Sequence, residues 1–564
     1  MLSLLSKSQK IKLYINIFFN IGSLIFNLIS TLLIVPIFLM IIDEKQTNKL
    51  FFIEFLNNLN FTSLSLIQFL TVLGIFGIIF SNLAIFLTNY LKVKLQYELV
   101  ATLSVKLLND FLSISYEKYL LQDKPEVVKN IVSEIERVVS GIYIPIIQVF
   151  SRLIFLLIIS IPLIIKFSNF FFISIILIIT FYVFIFYLIR PKIISLSKGI
   201  NLLNQSRSEI TINLLENFKV NKIFGKSSFI LTNFIKIMNT WSNNYKKLQI
   251  LKFSPRLLLE IFLFTSLFII LLYLYKYKTN SLNLLVFFST IGICSFKLIP
   301  IIQDLFYNFS LLQSNIPLLK YFRINFFKLN EQKENINETQ NKVNFSKNIV
   351  LRDLSYKYST QNKTTIEKIN LEINKNSIVG FYGESGSGKS TLIDLICGLL
   401  KPHEGEVLID NVVINQNNIK SFQKKIAYVS HSPFLIKDTL KKNIIFFESK
   451  EFDIVYYKKI LKICELDNFV KESEAGDEKL IGNDAKLISA GEAQRVSLAR
   501  ALYSNKEILI LDEFTSNLDN DTQNKILNNL SEINDKTIIL VTHRLDVLKI
   551  CDQIFKFDKG KLAN

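Results

Sequence analysis

The chain is poor in the residues that build disulfide scaffolds and metal centres. Four cysteines and three histidines occur in 564 residues. Cys294 falls in an apolar run, and Cys397, Cys464 and Cys551 are scattered over the C-terminal half. That scatter excludes a disulfide framework. None of the four stands at metal-ligand spacing, so they read as small buried thiols. Three histidines argue against a histidine metal site. No nucleic-acid-binding motif is present. The net charge of +18 therefore points to cytoplasmic loops and anionic lipid head groups, not to DNA or RNA. No internal repeat is visible. The start, MLSLLSKSQKIKLY, lacks a short apolar core with a cleavage site and runs straight into a long apolar segment. It reads as an uncleaved cytoplasmic N-terminus.

What the sequence has is apolar length. Half of the residues are hydrophobic, and mean hydropathy is +0.35. The length accommodates a membrane domain and a soluble one. Residues 1–327 carry six apolar stretches, at about 14–42, 64–91, 144–166, 169–190, 257–278 and 282–310. Each reaches the ~20 residues that a spanning helix needs. The third and fourth are separated only by KFSNF, which predicts a tight membrane hairpin. The segments 92–143 and 191–256 are long, polar and helix-patterned. The second is rich in Lys and Arg (Lys192, Lys198, Arg207, Lys219, Lys222, Lys226, Lys246 and Lys247). This bias places the long connections and both termini in the cytoplasm. The connection 43–63 then lies outside, where FFIEFLNNL suits a short amphipathic helix at the outer surface.

Residues 328–344 are polar and without period, and read as a linker. From 345 to 564, short β-like runs (NSIVGFYG, KIAYVS, EILILDE, KTIILVTH) alternate with helical ones. The alternation predicts an α/β domain with a largely parallel sheet. The fold class is thus an all-α six-helix membrane domain followed by an α/β nucleotide-binding domain.

That domain carries a phosphate site. GESGSGKST comprises Gly383, Glu384, Ser385, Gly386, Ser387, Gly388, Lys389, Ser390 and Thr391. It comes after an expected strand and opens an expected helix. Glycines let backbone N–H groups approach phosphate oxygens, and the helix N-terminus adds a favourable dipole. Lys389 is expected to reach the β- and γ-phosphates, and Ser390 to ligate Mg²⁺. EILILDE is an apolar strand ending in two carboxylates. Asp512 is expected on the metal and Glu513 on the attacking water, a division that suits phosphoryl transfer.

In order, these motifs resemble the ATP-binding cassette (ABC) transporters of the exporter arrangement. The resemblance covers nearly the whole chain. It implies that Tyr358 in LSYKY stacks on adenine and that ISAGEAQR is the signature, with Ser489, Gly491 and Glu492 facing a partner's ATP. Asp519 in SNLD belongs to the D-loop, and His543 in LVTHR is the switch histidine at the γ-phosphate. It implies an ATP hydrolase coupled to transport, working as a dimer, a homodimer in the simplest case, around two ATP molecules with Mg²⁺. Three positions depart from the pattern. His431 stands where a metal-touching glutamine is usual, which leaves its Mg²⁺ contact uncertain. Ala490 replaces the first signature glycine, and Glu492 replaces glutamine. Ala490 is acceptable only with negative φ, and the Glu492 carboxylate is expected to repel the γ-phosphate slightly. The stretches 115–138 and 223–234 are candidates for the coupling helices that dock on the nucleotide domain.

Several stretches further resemble PglK-type flippases of bacterial lipid-linked oligosaccharides: FFIEFLNNL, SPRLLLE and FKLIP. The resemblance implies a polyprenyl-pyrophosphate-linked glycan as cargo. That cargo would be flipped across the inner membrane by a multi-pass protein in contact with membrane lipid, for protein or surface glycosylation. Arg256 and Lys297 are then the cations expected to meet the pyrophosphate. Alternatively, Arg256 pairs with Glu260 or snorkels at the membrane edge, and Lys297 pairs with Asp304 or Glu260. Asp304 itself departs from the subfamily, which has a basic residue there. An exporter of another amphiphile (glycolipid, peptide or drug) and an ATP-switched channel or sensor remain as alternative functions.

Overall fold

The computed structural model describes residues 6–34, 37, 63–225, 227–276, 299–318, 342–359, 364–446, 452–482 and 487–563. They fall into two compact units, one of residues 1–112 and 123–331, the other of 113–122 and 332–564.

The first unit is helical. Its described helices are α1 (Lys7–Leu32) and α2 (Ser63–Leu112), then α4 (Ile144–Glu216), α5 (Ser227–Lys276) and a helical run at 299–318, called α6. The short α3 (Tyr116–Leu120) belongs to the second unit. Three described helical stretches are long and apolar enough to cross a membrane: Lys7–Leu32, Ile67–Leu112 and Glu126–Ile158. In hydrocarbon every backbone N–H and C=O must be paired within the protein, and a helix does that by itself. α1 starts where a reciprocal capping box starts it. Ser6 Oγ accepts from Gln9 N at 3.2 Å, and Gln9 Oε1 accepts from Ser6 N at 3.0 Å.

α1 and α2 are joined by polar side chains as well as by packing. Gln9 Nε2 donates to Thr102 Oγ1 (2.9 Å), and Asn27 Nδ2 donates to Ser81 Oγ (3.0 Å). Gly77 lies so close to Ser30 that a Cβ there would sit 2.5 Å from its Oγ. Small residues that let helices approach, with side-chain hydrogen bonds across the contact, are the usual adhesive of membrane helices. Leu13, Leu95, Leu99, Leu103, Ile135, Ile142 and Leu318 form the main core of this unit.

The chain doubles back within Ile144–Glu216: Arg137 Nη2 donates to Asn201 Oδ1 at 3.0 Å, and Arg152 and Phe186 meet Asp304 and Phe306 of α6, so the reversal falls between 152 and 186, the interval that holds KFSNF. One difference from expectation appears. Asp304 accepts from Arg152 Nη2 at 3.0 Å. This carboxylate, an expected partner for Lys297, is therefore engaged by α4. Residues 43–62, with FFIEFLNNL, lie outside the described residues, as do 319–341, which hold most of the expected linker. Between α4 and α5 the helical path breaks near Gly225, whose φ is +63°. That break falls in the 223–234 stretch.

The second unit is α/β. An antiparallel sheet pairs β1 (Asn348–Tyr356) with β2 (Ile366–Asn374) and β4 (Glu404–Ile409), and β5 (Val412–Val413) closes its edge. The second sheet contains β3 (Ile378–Gly383), β6 (Ile426–Val429), β7 (Ile508–Asp512), β8 (Thr537–Thr542), β9 (Gln553–Asp558) and β10 (Lys561–Ala563). Its order is β10-β9-β3-β8-β7-β6, parallel except for the β9–β10 pair. β7 and β8 are buried along nearly their whole length, as strands covered on both faces must be. Three helices matter to the site: α7 (Lys389–Ile396), α8 (Ala490–Tyr503) and α9 (Asn520–Ser531). The segment 113–122 groups with this unit, and Tyr116 of α3 packs against its second core cluster.

Removing one partner of the Arg152–Asp304 pair leaves a largely buried guanidinium uncompensated, because the Arg152 side chain is only 16% exposed. Asp304→Asn is expected to lower stability by about 1–3 kcal/mol. Arg152→Met added to it should recover part of the loss. Thermal unfolding of the detergent-solubilised variants measures both, and an unshifted midpoint for Asp304→Asn would show the pair to be dispensable.

Candidate functional site

The phosphate loop is built by close backbone approach. β3 lies between β8 and β9 and ends at Gly383. A Cβ on Gly383 would fall 2.2 Å from the Phe557 carbonyl oxygen of β9. Gly386 and Gly388 have φ of +79° and +108°, where only glycine is unstrained. Gly388 caps α7, so the helix begins with Lys389 and Ser390. Ser385 lies exposed at the loop tip, whereas Ser387 is buried beneath it. Lys389 is buried, and its Nζ donates back to the carbonyl oxygens of Gly383 (2.7 Å) and Glu384 (2.8 Å). Burial lowers the pKa of the ammonium, and Glu513 and Asp512 oppose that shift. The lysine thus spans the concave side of the loop. Tyr358 OH lies 3.2 Å from Thr391 Oγ1. Its ring meets Tyr356 edge-on at 5.1 Å, which fixes the aromatic beside the loop.

The carboxylates arrive on β7, which is separated from β3 by β8. β7 ends at Asp512, which accepts from Tyr428 OH of β6 at 2.9 Å. Burial raises the Asp512 pKa, and the tyrosine hydrogen bond counters it. Beneath the loop, burial and then the Asp512 charge raise Asp394 of α7 to about 6. Glu513 turns out of the strand with φ +47°. A non-glycine residue held there stores backbone strain. Its N–H remains bonded to the Val541 carbonyl (2.9 Å), which holds the turn in place. The Glu513 carboxylate stands between two imidazoles. His431 Nδ1 is 3.6 Å from one oxygen, and His543 Nδ1 is 3.5 Å from the other. The structure therefore brings Lys389, Asp512, Glu513, His431 and His543 to one edge of the sheet.

The signature residues occupy a separate place in the domain. Ser489 caps α8, and Ala490 is its first residue with a right-handed backbone. The replaced glycine is accommodated for that reason. Glu492 folds back on its own helix. Its Oε2 accepts from Ser489 N at 2.6 Å, and Ser489 Oγ accepts from Glu492 N at 3.2 Å. The carboxylate is thus held as a capping group at the positive end of the helix. A Cβ on Gly491 would lie 2.8 Å from the Asn517 carbonyl, so glycine is needed for the D-loop to approach. Asp519 caps α9 by accepting from Thr522 N at 2.9 Å. Among the described residues, no hydrogen bond joins Ser489, Glu492 or Asp519 to the phosphate loop.

Two contributors escape motif reasoning. Tyr428 orients Asp512 from the adjacent strand. Gln494, 1% exposed, ties three segments together. Its Nε2 donates to Ser516 Oγ (3.0 Å) and the His431 carbonyl (3.4 Å), and its Oε1 accepts from Asn517 N (3.2 Å). The pattern contains a signal, since Gln494 lies within ISAGEAQR, but its partners are distant in sequence. Lys297 lies outside the described residues, and the Arg256 side chain is likewise not described.

The donors present fit Mg²⁺. Among the described residues no cluster of three His, Cys, Asp or Glu side chains forms. A hydroxyl (Ser390) and one carboxylate (Asp512) remain at the loop, a sparse oxygen set that suits an ion keeping several waters and phosphate oxygens. His431 sits against Glu513.

Residues 366–516 match the ABC transporter family. The whole chain superposes on a bacterial Atm1-family ABC exporter with ATP bound, with a TM-score of 0.80 and 19% identity. The match covers 98% of this chain and 95% of that one. The lactococcin-A transport/processing ATP-binding protein LcnC of Lactococcus lactis is 34% identical over 215 residues, 38% of this chain and 30% of that protein. The ATP-dependent lipid A-core flippase of Francisella novicida is 33% identical over 217 residues, 38% of this chain and 36% of that protein. The chain thus matches about a third of the length of these relatives. The fold is that of an ABC exporter, a helical transmembrane domain plus an ABC nucleotide-binding domain. Its C-terminal part is an ABC transporter ATP-binding domain, of the kind that couples ATP hydrolysis to transport.

This geometry has two measurable consequences. Ser489→Ala removes the cap of α8 and should destabilise the domain by about 1 kcal/mol. Glu492→Gln can keep the same bond and should cost less than half as much in denaturant unfolding. Equal losses would show that the carboxylate charge, and not the capping geometry, holds this helix end. Second, His431 Nδ1 stands 3.6 Å from the Glu513 carboxylate, so His431→Gln should alter the ATPase rate of the natural protein. An unchanged rate would remove His431 from control of Glu513.

Proposed function

We propose that two copies of this chain form an ATP-driven flippase that moves a lipid-linked oligosaccharide from the inner to the outer leaflet of the bacterial inner membrane, for protein or surface glycosylation. The hydrolytic half of this reading is carried by the placement of Glu513 between His431 and His543 beside the Lys389 loop. Lys389 and the loop N–H groups hold the β- and γ-phosphates. Glu513 orients the attacking water and accepts its proton. His543 contacts the γ-phosphate. Ser390 and Asp512 would hold Mg²⁺, which would neutralise charge on the phosphate oxygens.

A dimer is supported by the resemblance to ABC exporters, and by Ser489, Glu492 and Asp519 making no hydrogen bond to the phosphate loop of their own chain among the described residues. Ser489, Gly491, Glu492 and Asp519 of one copy would complete the site of the other. The motion of closure would then reach the helical unit. The cargo rests on FFIEFLNNL, SPRLLLE and FKLIP, which carry the resemblance to PglK-type flippases, and on Arg256 and Lys297 as charge partners for a pyrophosphate. Export of another amphiphile is the second reading, favoured by the names of the lactococcin transporter and the lipid A-core flippase among its relatives.

Reconstituted protein should hydrolyse ATP and flip a fluorescent lipid-linked oligosaccharide in proteoliposomes. Glu513→Gln should retain ATP and lose turnover by about a hundredfold or more. Lys297→Ala should slow flipping while ATPase persists. Undiminished turnover in Glu513→Gln contradicts its role as base, and ATPase without glycolipid movement favours the second reading.

A further inference from the structure

The helical unit has a partly open cavity of about 860 Å³, lined by the helical stretch Lys124–Tyr143 and by α4, α5 and α6. Its charges are unequal. Lys129, Arg137, Arg207 and Lys252 line it against a single carboxylate, Glu134. That carboxylate is already taken. Arg137 Nη1 donates to both its oxygens, at 3.0 and 2.9 Å, and Lys129 Nζ lies 3.7 Å away. Arg137 is further anchored by Asn201, whose Oδ1 accepts from Nη2 at 3.0 Å.

Arg207 and Lys252 are not compensated. Arg207 donates to Asn204 Oδ1 at 3.1 Å, and its guanidinium lies 4.5 Å from the Trp241 ring centre. Its Nε is buried with no hydrogen-bond partner among the described residues, and the same holds for Trp241 Nε1 and Ser197 Oγ. Lys252 is 8% exposed and has no ion pair or hydrogen bond among the described residues. Burial alone pushes its pKa down to about 8. Buried cations and donors without acceptors are costly unless something supplies the acceptor. Water can satisfy single donors, but two cations facing one cavity call for negative charge.

The wall itself is unusual. Asn130–Glu134 and Val139–Tyr143 are π-helical, on either side of Arg137. Such bulges re-aim side chains and gather at functional sites. Gly141 admits Asn315 of α6 at this level, since a Cβ there would lie 2.4 Å from its Nδ2. The volume falls within the range of small-molecule sites and far exceeds one inorganic phosphate.

We propose that this cavity holds the phosphate-bearing head of the amphiphile that the exporter moves, with Lys252 and Arg207 as its charge partners and Trp241 Nε1 and Ser197 Oγ as donors. The inference rests on the exporter reading above. It adds a site distinct from Arg256 and Lys297 and states the class of the head group. Two uncompensated cations match the two negative charges of a phosphate monoester or pyrophosphate better than the one of a carboxylate.

Trp241 is the single tryptophan of the chain, so indole fluorescence reports on this wall. Full-length protein in nanodiscs is titrated with geranyl pyrophosphate, with inorganic pyrophosphate, and with uncharged geranyl glucoside. The first is expected to give a saturable change, and the other two little or none. Lys252→Met keeps volume and apolar packing, so it should fold, yet bind about tenfold or more weakly. Arg207→Gln should do likewise, and Lys252→Arg should stay within a few-fold of the natural protein. No saturable change, or one that Lys252→Met and Arg207→Gln leave intact, overturns the proposal. So does an equal response to inorganic pyrophosphate, which assigns the site to a free anion, or to the glucoside. ATPase activity of the natural protein in the same nanodiscs separates the two claims. Hydrolysis without the fluorescence response refutes the cavity assignment alone, whereas absent hydrolysis refutes the exporter reading itself.

Discussion

The chemistry of the nucleotide domain depends on the parallel pairing of β3 with β8 and of β8 with β7. The register sets Tyr382 opposite Thr542, and Val541 opposite both Phe381 and Asp512. Parallel strands end at the same edge, so the residues just past each strand are neighbours. β3 runs into the phosphate loop, β7 into Glu513 and β8 into His543. Three stretches far apart in sequence become one site because their strands share a direction. Ligands in open α/β sheets bind at the carboxyl ends of strands for this reason. The strands themselves need only be apolar and β-branched, as ILILD and TIILVT are.

Around this edge the protein accepts strain and tight approach. Glu513 has a left-handed backbone, Gly383 admits no side chain, and Lys389 is held in the cradle by two carbonyls. Each feature alone is unfavourable. Together they leave little to reorganise when a triphosphate enters, which is how preorganised electrostatic sites act. Gln494 extends the same order outward. Through the His431 carbonyl, Ser516 and Asn517 it ties the histidine beside Glu513 to the signature helix and the D-loop. Gln494 thus joins these segments by a continuous chain of hydrogen bonds.

The nucleotide site is legible in the sequence because its determinants are local. A glycine-rich loop needs particular φ values and a helix after it, and both are written in consecutive residues. The partners of individual side chains are not legible. The signature pattern implies a Glu492 that faces a partner's nucleotide, and within its own chain the same carboxylate forms a capping box with Ser489 in the pattern S-x-x-E. Tyr428 and Asp512 meet across adjacent strands, and Arg152 and Asp304 across two helices. No spacing rule announces such contacts, because they depend on tertiary packing.

The helical unit shows how buried charge should be read in a membrane protein. Arg137 and Lys129 surround Glu134, and Arg152 meets Asp304; these cations have their anions within the chain. Such pairs are close to neutral in net energy, since desolvation offsets most of the attraction. The Arg152–Asp304 pair joins two helices, and the Glu134 pairs close within one helical stretch. Arg207 and Lys252 differ, because among the described residues no carboxylate answers them. A cation whose anion is built in is structural, and one whose anion must come from outside is a site.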